Sequence, residues 1–145
     1  MEYLSLEGKW EAQLEDGSVY PMQVPGSLDE SRIGGKDMGA NQWHPDADLG
    51  NAENSFDPDA PIATRYTRKH TYEGEAKISR MISYIPEEEK RVFLEVERAR
   101  CLKLEIDGKE IPDYVEPSIS TPHIFEVTDV LDGEHRITLR SDNSY

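Results

Sequence analysis

Apolar and polar residues alternate with period two through most of the second half of the chain. Between Arg91 and Glu97, Val92, Leu94 and Val96 share one face. Between Cys101 and Asp107, Leu102, Leu104 and Ile106 oppose Lys103, Glu105 and Asp107. Between Arg136 and Arg140, Ile137 and Leu139 oppose Arg136, Thr138 and Arg140. Such alternation is what a strand shows when one face is buried and the other is wet. Asp107-Gly108 is a hairpin signal. No helical period interrupts these runs. The pattern predicts an all-β fold, an antiparallel β-sandwich.

The first half adds further strands and one long connection. Trp10–Leu14 and Val19–Val24 read as strands joined by Glu15-Asp16-Gly17-Ser18, and Pro25-Gly26 ends the second of them. Ser27-Leu28-Asp29-Glu30 has the spacing of a capping box and predicts one or two helical turns. From Ile33 to Pro61 the chain is rich in Gly, Asn, Asp and Pro, and connections that long inside a compact domain tend to be functional or disordered. Trp43-His44-Pro45 and Phe56 argue against disorder, since aromatic residues in a loop pack against or bind something. Ile62–Tyr72, Ala76–Ile85 and Ile124–Val127 complete the pattern, with turns at Glu73-Gly74, at Thr128–Leu131 and at Asp132-Gly133. About eight strands in one domain spanning the whole chain suit a jelly roll.

Charge narrows the partners. Thirty acidic residues against 16 basic ones give a net charge of −14. That excess works against nucleic acid and anionic membranes, both of which need cationic contacts. No apolar run approaches the length of a membrane span, and Met1-Glu2-Tyr3-Leu4 does not resemble the start of a signal peptide, so a cytoplasmic location is expected. The single cysteine, Cys101, excludes an internal disulfide and reads as a half-buried structural thiol. No asparagine among Asn41, Asn51, Asn54 and Asn143 heads a glycosylation sequon.

Catalytic and cofactor signals are missing from the sequence. It holds no glycine-rich phosphate loop, no His-Glu-x-x-His, no Cys-x-x-Cys and no Gly-x-Ser-x-Gly elbow, and no cofactor or structural metal is expected. His44, His70, His123 and His135 are scattered, no two at ligand spacing on one element. Asp46, Asp48, Asn51, Glu53, Asn54, Asp57 and Asp59 form an oxygen-rich stretch without the spacing of an EF-hand, leaving a solvated acidic loop or a calcium site as its readings.

The order of short motifs resembles the N-terminal sugar-binding domain of family 2 glycoside hydrolases, the β-galactosidase and β-glucuronidase group. The motifs are Leu6-x-Gly8-x-Trp10, Val24-Pro25-Gly26-Ser27, Asp59-Ala60-Pro61-Ile62-x-Thr64, Gly74 to Pro86, Leu104-x-Ile106-Asp107-Gly108-Lys109, Thr121-Pro122-His123-x-Phe125-x-Val127-Thr128 and Leu139 to Tyr145. The resemblance implies a galactose-binding-domain-like jelly roll that continues past Tyr145 in a longer enzyme. It also implies that the catalytic residues lie on a separate barrel domain of the same parent chain, with none here. The carbohydrate partner would then be met through the parent enzyme.

The resemblance also nominates site residues. Arg65 stands where β-galactosidases place a sugar-touching Asn, and a guanidinium there can reach a carboxylate or several hydroxyls. Trp43 and His44 in the long loop, with Asp142 and Asn143 at the chain end, are the other candidates for carbohydrate contact. Each has a structural alternative: a loop anchor for Trp43, an ion pair for Arg65, a strand-end cap for Asp142 and Asn143. His123 reads as a hydrogen-bonded structural histidine. In the family's hairpin Asn is usual where Asp107 stands, and either residue suits the turn. Three functions remain open: an accessory domain lending loop residues to an active-site rim, a stand-alone carbohydrate-binding module, and a structural domain that supports homo-oligomers.

Overall fold

The computed structural model describes residues 2–36, 70–118 and 120–144. Two compact units are present, one formed by 1–26 with 73–145 and the other by 27–72. Ten strands run through the described residues: β1 Gly8–Gln13, β2 Val19–Val24, β3 Gly35–Lys36, β4 His70–Thr71, β5 Glu75–Tyr84, β6 Phe93–Val96, β7 Leu102–Ile106, β8 Lys109–Ile111, β9 His123–Glu126 and β10 Gly133–Asp142. The fold is an antiparallel β-sandwich of jelly-roll type, as the alternation predicts.

In the larger unit a six-stranded sheet, ordered β2-β1-β5-β10-β7-β8, faces the two-stranded sheet β6-β9 across one core. The spine is the β5–β10 pair, in register over ten residues from Gly133↔Tyr84 to Asp142↔Glu75. Trp10, Leu102, Leu104, Ile106, Ile137 and Leu139 from the large sheet meet Leu94 and Phe125 from the small one. Of these, Leu94, Leu102, Leu104, Ile106, Ile137 and Leu139 are the residues whose parity marked them as inward. Large apolar side chains removed from water in this way supply the main favourable term in folding.

Polar contacts fix the core's rim. The Trp10 indole Nε1 donates to the Leu6 carbonyl at 2.9 Å. Arg80, on the inner face of β5, donates from Nη1 to the same carbonyl at 2.9 Å and to the Glu7 carbonyl at 3.0 Å. The Leu6-x-Gly8-x-Trp10 motif is therefore a segment pinned through one carbonyl by an indole and a guanidinium. The outward face of the large sheet is instead laced by ion pairs: Lys103–Glu110 at 3.6 Å, Arg136–Glu11 at 3.4 Å, and Arg140 between Glu75 and Glu105 at 2.7 and 3.0 Å.

The turns use the residues their sequences offer. Asp16 Oδ1 accepts from the Ser18 amide at 2.9 Å and from the Ser18 hydroxyl, which closes the β1–β2 turn and holds the Asp16 carboxyl below its ordinary range. Asp107 and Gly108 both have positive φ, at 51° and 82°, the backbone of a tight β7–β8 hairpin. Asp107 does more than turn the chain. Its Oδ1 accepts from the Arg136 amide at 2.8 Å and its Oδ2 lies 2.6 Å from His135 Nδ1, so it ties the hairpin to β10.

Within the smaller unit, Gly35 and Lys36 pair with Thr71 and His70. The capping box forms as its spacing requires: Glu30 N donates to Ser27 Oγ at 3.1 Å, and Ser27 N donates to a Glu30 carboxylate oxygen at 2.7 Å. The helix it predicts does not propagate. Residues 28–32 form turns only, and Arg32 adopts a left-handed φ of 58°, which ends the run before a second turn.

Cys101 departs from expectation. It is exposed, one position before β7. The alternation that buries Leu102, Leu104 and Ile106 turns position 101 to the wet side, so the parity of the strand already excluded a half-buried thiol.

Candidate functional site

Trp43, His44 and Arg65 lie outside the described residues, as does the acidic stretch from Asp46 to Asp59. Asp142 and Asn143 are placed. Asp142 is the last residue of β10, and its Oδ1 accepts from the Ser144 amide at 2.8 Å and the Ser144 hydroxyl at 2.6 Å. Those two bonds, the hydroxyl first, hold its carboxyl below the ordinary range. Asn143 Oδ1 accepts from the Gly74 amide at 2.8 Å while its own amide donates to the Gly74 carbonyl at 3.3 Å. This reciprocal pair staples the end of β10 to the turn before β5. The geometry is that of a strand-end cap, the structural alternative raised by the sequence.

Beside this cap, Arg140 Nη2 and Nε reach Glu75 Oε2 at 2.7 and 3.2 Å, and its Nη1 reaches Glu105 at 3.0 Å. The two carboxylates, Glu75 first, push the guanidinium's pKa still higher than usual. A cation fixed between two carboxylates on adjacent strands holds three strands in register. Glu75, Glu105, Arg140 and Asp142 thus share the outward face of the large sheet near this end, joined to one another or to the chain end by hydrogen bonds.

A second constellation was not nominated by the sequence. Arg91 grips Glu126 with both arms, Nε–Oε1 at 2.9 Å and Nη2–Oε2 at 2.8 Å. Its guanidinium carbon lies 5.0 Å from the Phe93 ring centroid and 5.4 Å from that of Tyr114. The two rings meet edge to face at 5.1 Å. Glu126 and then Tyr114 raise the Arg91 pKa, and Arg91 in turn holds Glu126 below its ordinary value. Phe93 is 40% exposed and Tyr114 50% exposed. The signal for Phe93 was present, because the parity that buries Leu94 puts an aromatic ring on the wet face of β6. Tyr114 gave none. It follows Pro112 and Asp113 in a connection, and its amide's 2.7 Å bond to the Ile124 carbonyl holds it alongside β9.

His123 is buried on β9, with Nδ1 3.2 Å from Asp113 Oδ1, in keeping with the structural reading. Its Nε2 has no hydrogen-bond partner among the described residues. His135 bridges Asp107 and the Asp132 carbonyl. Its Nδ1 lies 2.6 Å from Asp107 and its Nε2 lies 2.8 Å from the Asp132 carbonyl, the shorter of its two contacts with that residue. Only the doubly protonated ring donates to both acceptors, so Asp107 first and the Asp132 carbonyl second raise its pKa.

A pH dependence follows. With the folded value raised, the stabilisation is full below the ordinary histidine range and is lost as pH rises through the folded value. Asp107, held low by His135 and then by the Arg136 amide, acts oppositely, and its contribution is lost as pH falls through its depressed value. The melting temperature should therefore fall as pH rises above the ordinary histidine range. A His135→Gln variant should lose that slope in a calorimetric pH series, and retention of the full slope would contradict the assignment.

Among the described residues, no three or more His, Cys, Asp or Glu side chains converge as metal ligands would. No helix among them is long and apolar enough to cross a membrane.

Comparison with known proteins places the fold. No family model matches the sequence, and no curated protein matches it. Solved structures do. A β-glucuronidase from Ruminococcus gnavus, in complex with uronic isofagomine, superposes with a TM-score of 0.60 at 15% identity, over 97% of this chain and 20% of that one. A β-D-mannosidase from Dictyoglomus thermophilum matches at 0.56 and 18% identity, over 98% and 16%. A β-D-glucuronidase from the same organism matches at 0.55 and 20% identity, over 95% and 19%. Nearly all of this chain thus has the fold of a part of these glycoside hydrolases, and it spans a fifth or less of their length.

Proposed function

We propose that this chain is the non-catalytic, sugar-binding-type domain of a family 2 glycoside hydrolase, one that packs on a catalytic barrel of the same parent chain. In that role it lends loop residues to the rim of the active site, and it meets carbohydrate through the parent enzyme. What supports the reading is the breadth of the fold match: at least 95% of the chain aligns with a glucuronidase or mannosidase of which it is a fifth or less. The motif order in the sequence points the same way. Arg65, Trp43, His44, Asp142 and Asn143 are the rim candidates. Of these, Asp142 and Asn143 sit at the end of β10, beside the Arg140 cluster, where a sandwich presents its loops.

A domain that supplies only part of a pocket holds a lone sugar poorly, because most of the polar and stacking contacts belong to the missing wall. Titration of this chain with glucuronate, galactose and mannose should give dissociation constants weaker than about 1 mM. A micromolar constant for any of them would instead make the chain a stand-alone carbohydrate-binding module.

A further inference from the structure

We propose that the Asp132-Gly133 peptide, at the entry to β10, is a self-modifying site, where aspartate converts spontaneously to isoaspartate with His135 as the assisting group. The chain contains Asp-Gly at 16–17, 107–108 and 132–133. Glycine has no side chain to hinder attack of its own amide nitrogen on the preceding carboxyl, so all three pairs share the sequence that favours the reaction. Room does not separate them, since nothing lies within 4 Å of a Cβ built on Gly17, Gly108 or Gly133. Their polar surroundings do.

In the first two pairs the carboxyl is held away from the reaction. Asp16 Oδ1 accepts from the Ser18 amide and hydroxyl, and the Gly17 amide, the nitrogen that would attack, donates to the Leu14 carbonyl at 2.9 Å. Asp107 accepts from the Arg136 amide at 2.8 Å and faces His135 Nδ1 at 2.6 Å. Such bonds favour the ionised carboxylate, from which oxide is a poor leaving group, and they must break before the carboxyl carbon can reach the next nitrogen. Asp132 is exposed, and its carboxylate accepts no hydrogen bond among the described residues. Gly133 forms the last pair of the β5–β10 ladder, opposite Tyr84, and ladder ends open first.

What is bonded at Asp132 is its main-chain carbonyl, 2.8 Å from His135 Nε2. The Asp16 and Asp107 carbonyls have no such side-chain donor among the described residues. The contact places a cationic donor on the very peptide group whose nitrogen must attack. Doubly protonated His135 stabilises the negative charge that builds on the Asp132 carbonyl as the Gly133 nitrogen gives up its proton. That nitrogen bonds to the side-chain carboxyl carbon of Asp132, and the carboxyl hydroxyl leaves with the proton as water. The resulting succinimide takes up one water. Opening at the main-chain carbonyl, the one His135 polarises, gives isoaspartate, and opening at the other carbonyl restores aspartate. Nothing is oxidised or reduced, and water is the only co-reactant. The product routes the main chain through the former side chain, which lengthens the turn into β10 by one carbon.

The test is peptide mapping of the full chain held warm for several weeks at about pH 6, where the His135 ring is doubly protonated. Isoaspartate is read at each position by electron-transfer fragmentation and by methylation with a protein isoaspartyl methyltransferase. In the folded chain Asp132 should convert about fivefold faster than Asp16 or Asp107, or more, because no carboxylate hydrogen bond has to break. In guanidinium chloride the three sites should convert within about twofold of one another, since each is then only an Asp-Gly pair. His135→Gln, with its fold verified by a retained urea transition, should convert about fivefold more slowly at Asp132. Loosening of the turn alone would speed that conversion instead. Conversion no faster at Asp132 than at the other two sites, a preference that survives in guanidinium chloride, or an undiminished rate in folded His135→Gln would each overturn the proposal.

Discussion

Replacing Trp10 with alanine is expected to destabilise the chain by about 3–5 kcal/mol. The side chain is 5% exposed, it belongs to the main core cluster, and its indole N–H satisfies the Leu6 carbonyl at 2.9 Å. Truncation removes the transfer free energy of a large ring, leaves a cavity, and takes one of two side-chain donors from the Leu6 carbonyl. Against a total stability of about 5–15 kcal/mol for a domain of this kind, the variant should be marginal at room temperature. Trp10→Phe separates the effects. It keeps most of the apolar volume and loses the hydrogen bond, but Arg80 still donates to the Leu6 carbonyl, so the cost should fall to about 1–2 kcal/mol. Urea denaturation of the two variants checks both numbers. A loss below about 1 kcal/mol for Trp10→Ala would mean that the inner face of β1 is not packed as described.

Gly34→Ala should be nearly as damaging for a different reason. A Cβ at this position would lie 2.4 Å from the Thr71 carbonyl oxygen and 2.8 Å from its carbon, and the residue has a φ of +109°. Backbone strain and a clash with main-chain atoms act together, and neither neighbour is a flexible side chain that can give way. The expected cost is on the order of 3 kcal/mol, with the Gly35–Thr71 pairing lost. Gly17 provides the control. Its φ is similarly positive at +84°, yet nothing lies within 4 Å of an added Cβ. Gly17→Ala should therefore cost only about 1 kcal/mol, the price of the conformation alone. Equal melting temperatures for the two variants would show that the close approach of β3 to β4 carries no energy.

The parts of this fold that were legible in the sequence are those where alternation alone decides. Leu102, Leu104 and Ile106, or Ile137 and Leu139, are buried because period two leaves no other choice once one face packs. Strand ends were less legible. β10 runs from Gly133 to Asp142, well past the apolar run at Arg136–Arg140, because pairing with the ten-residue β5 supplies hydrogen bonds that polar residues accept as readily as apolar ones. β8 is only three residues long, and the hairpin signal Asp107-Gly108 revealed it more clearly than its own residues did. The capping box at Ser27 specifies how a turn starts and not how far it continues, and Arg32 stops it.

Site residues were legible only in part, for physical reasons. Asp142 and Asn143 could be read as sugar contacts or as caps, and the capping bonds of Asn143 to Gly74 join positions 69 residues apart. No local pattern contains that. Likewise, Asp107 suits its turn as well as Asn would, but the contacts with His135 and the Arg136 amide depend on β10 lying alongside. Phe93 on a wet face was visible as parity. Its partnership with Tyr114 and Arg91 required the sheet.

Whether this chain is one domain of a glycoside hydrolase is decided on the native polypeptide. An antibody raised against this chain would be used to isolate that polypeptide from its source cells, for intact mass and for activity on aryl β-glucuronides, β-mannosides and β-galactosides. The expected result is a species several times longer than 145 residues, with hydrolytic activity in the precipitate. A species of 145 residues alone, with no hydrolytic activity, would contradict the claim and leave an independent binding module in its place.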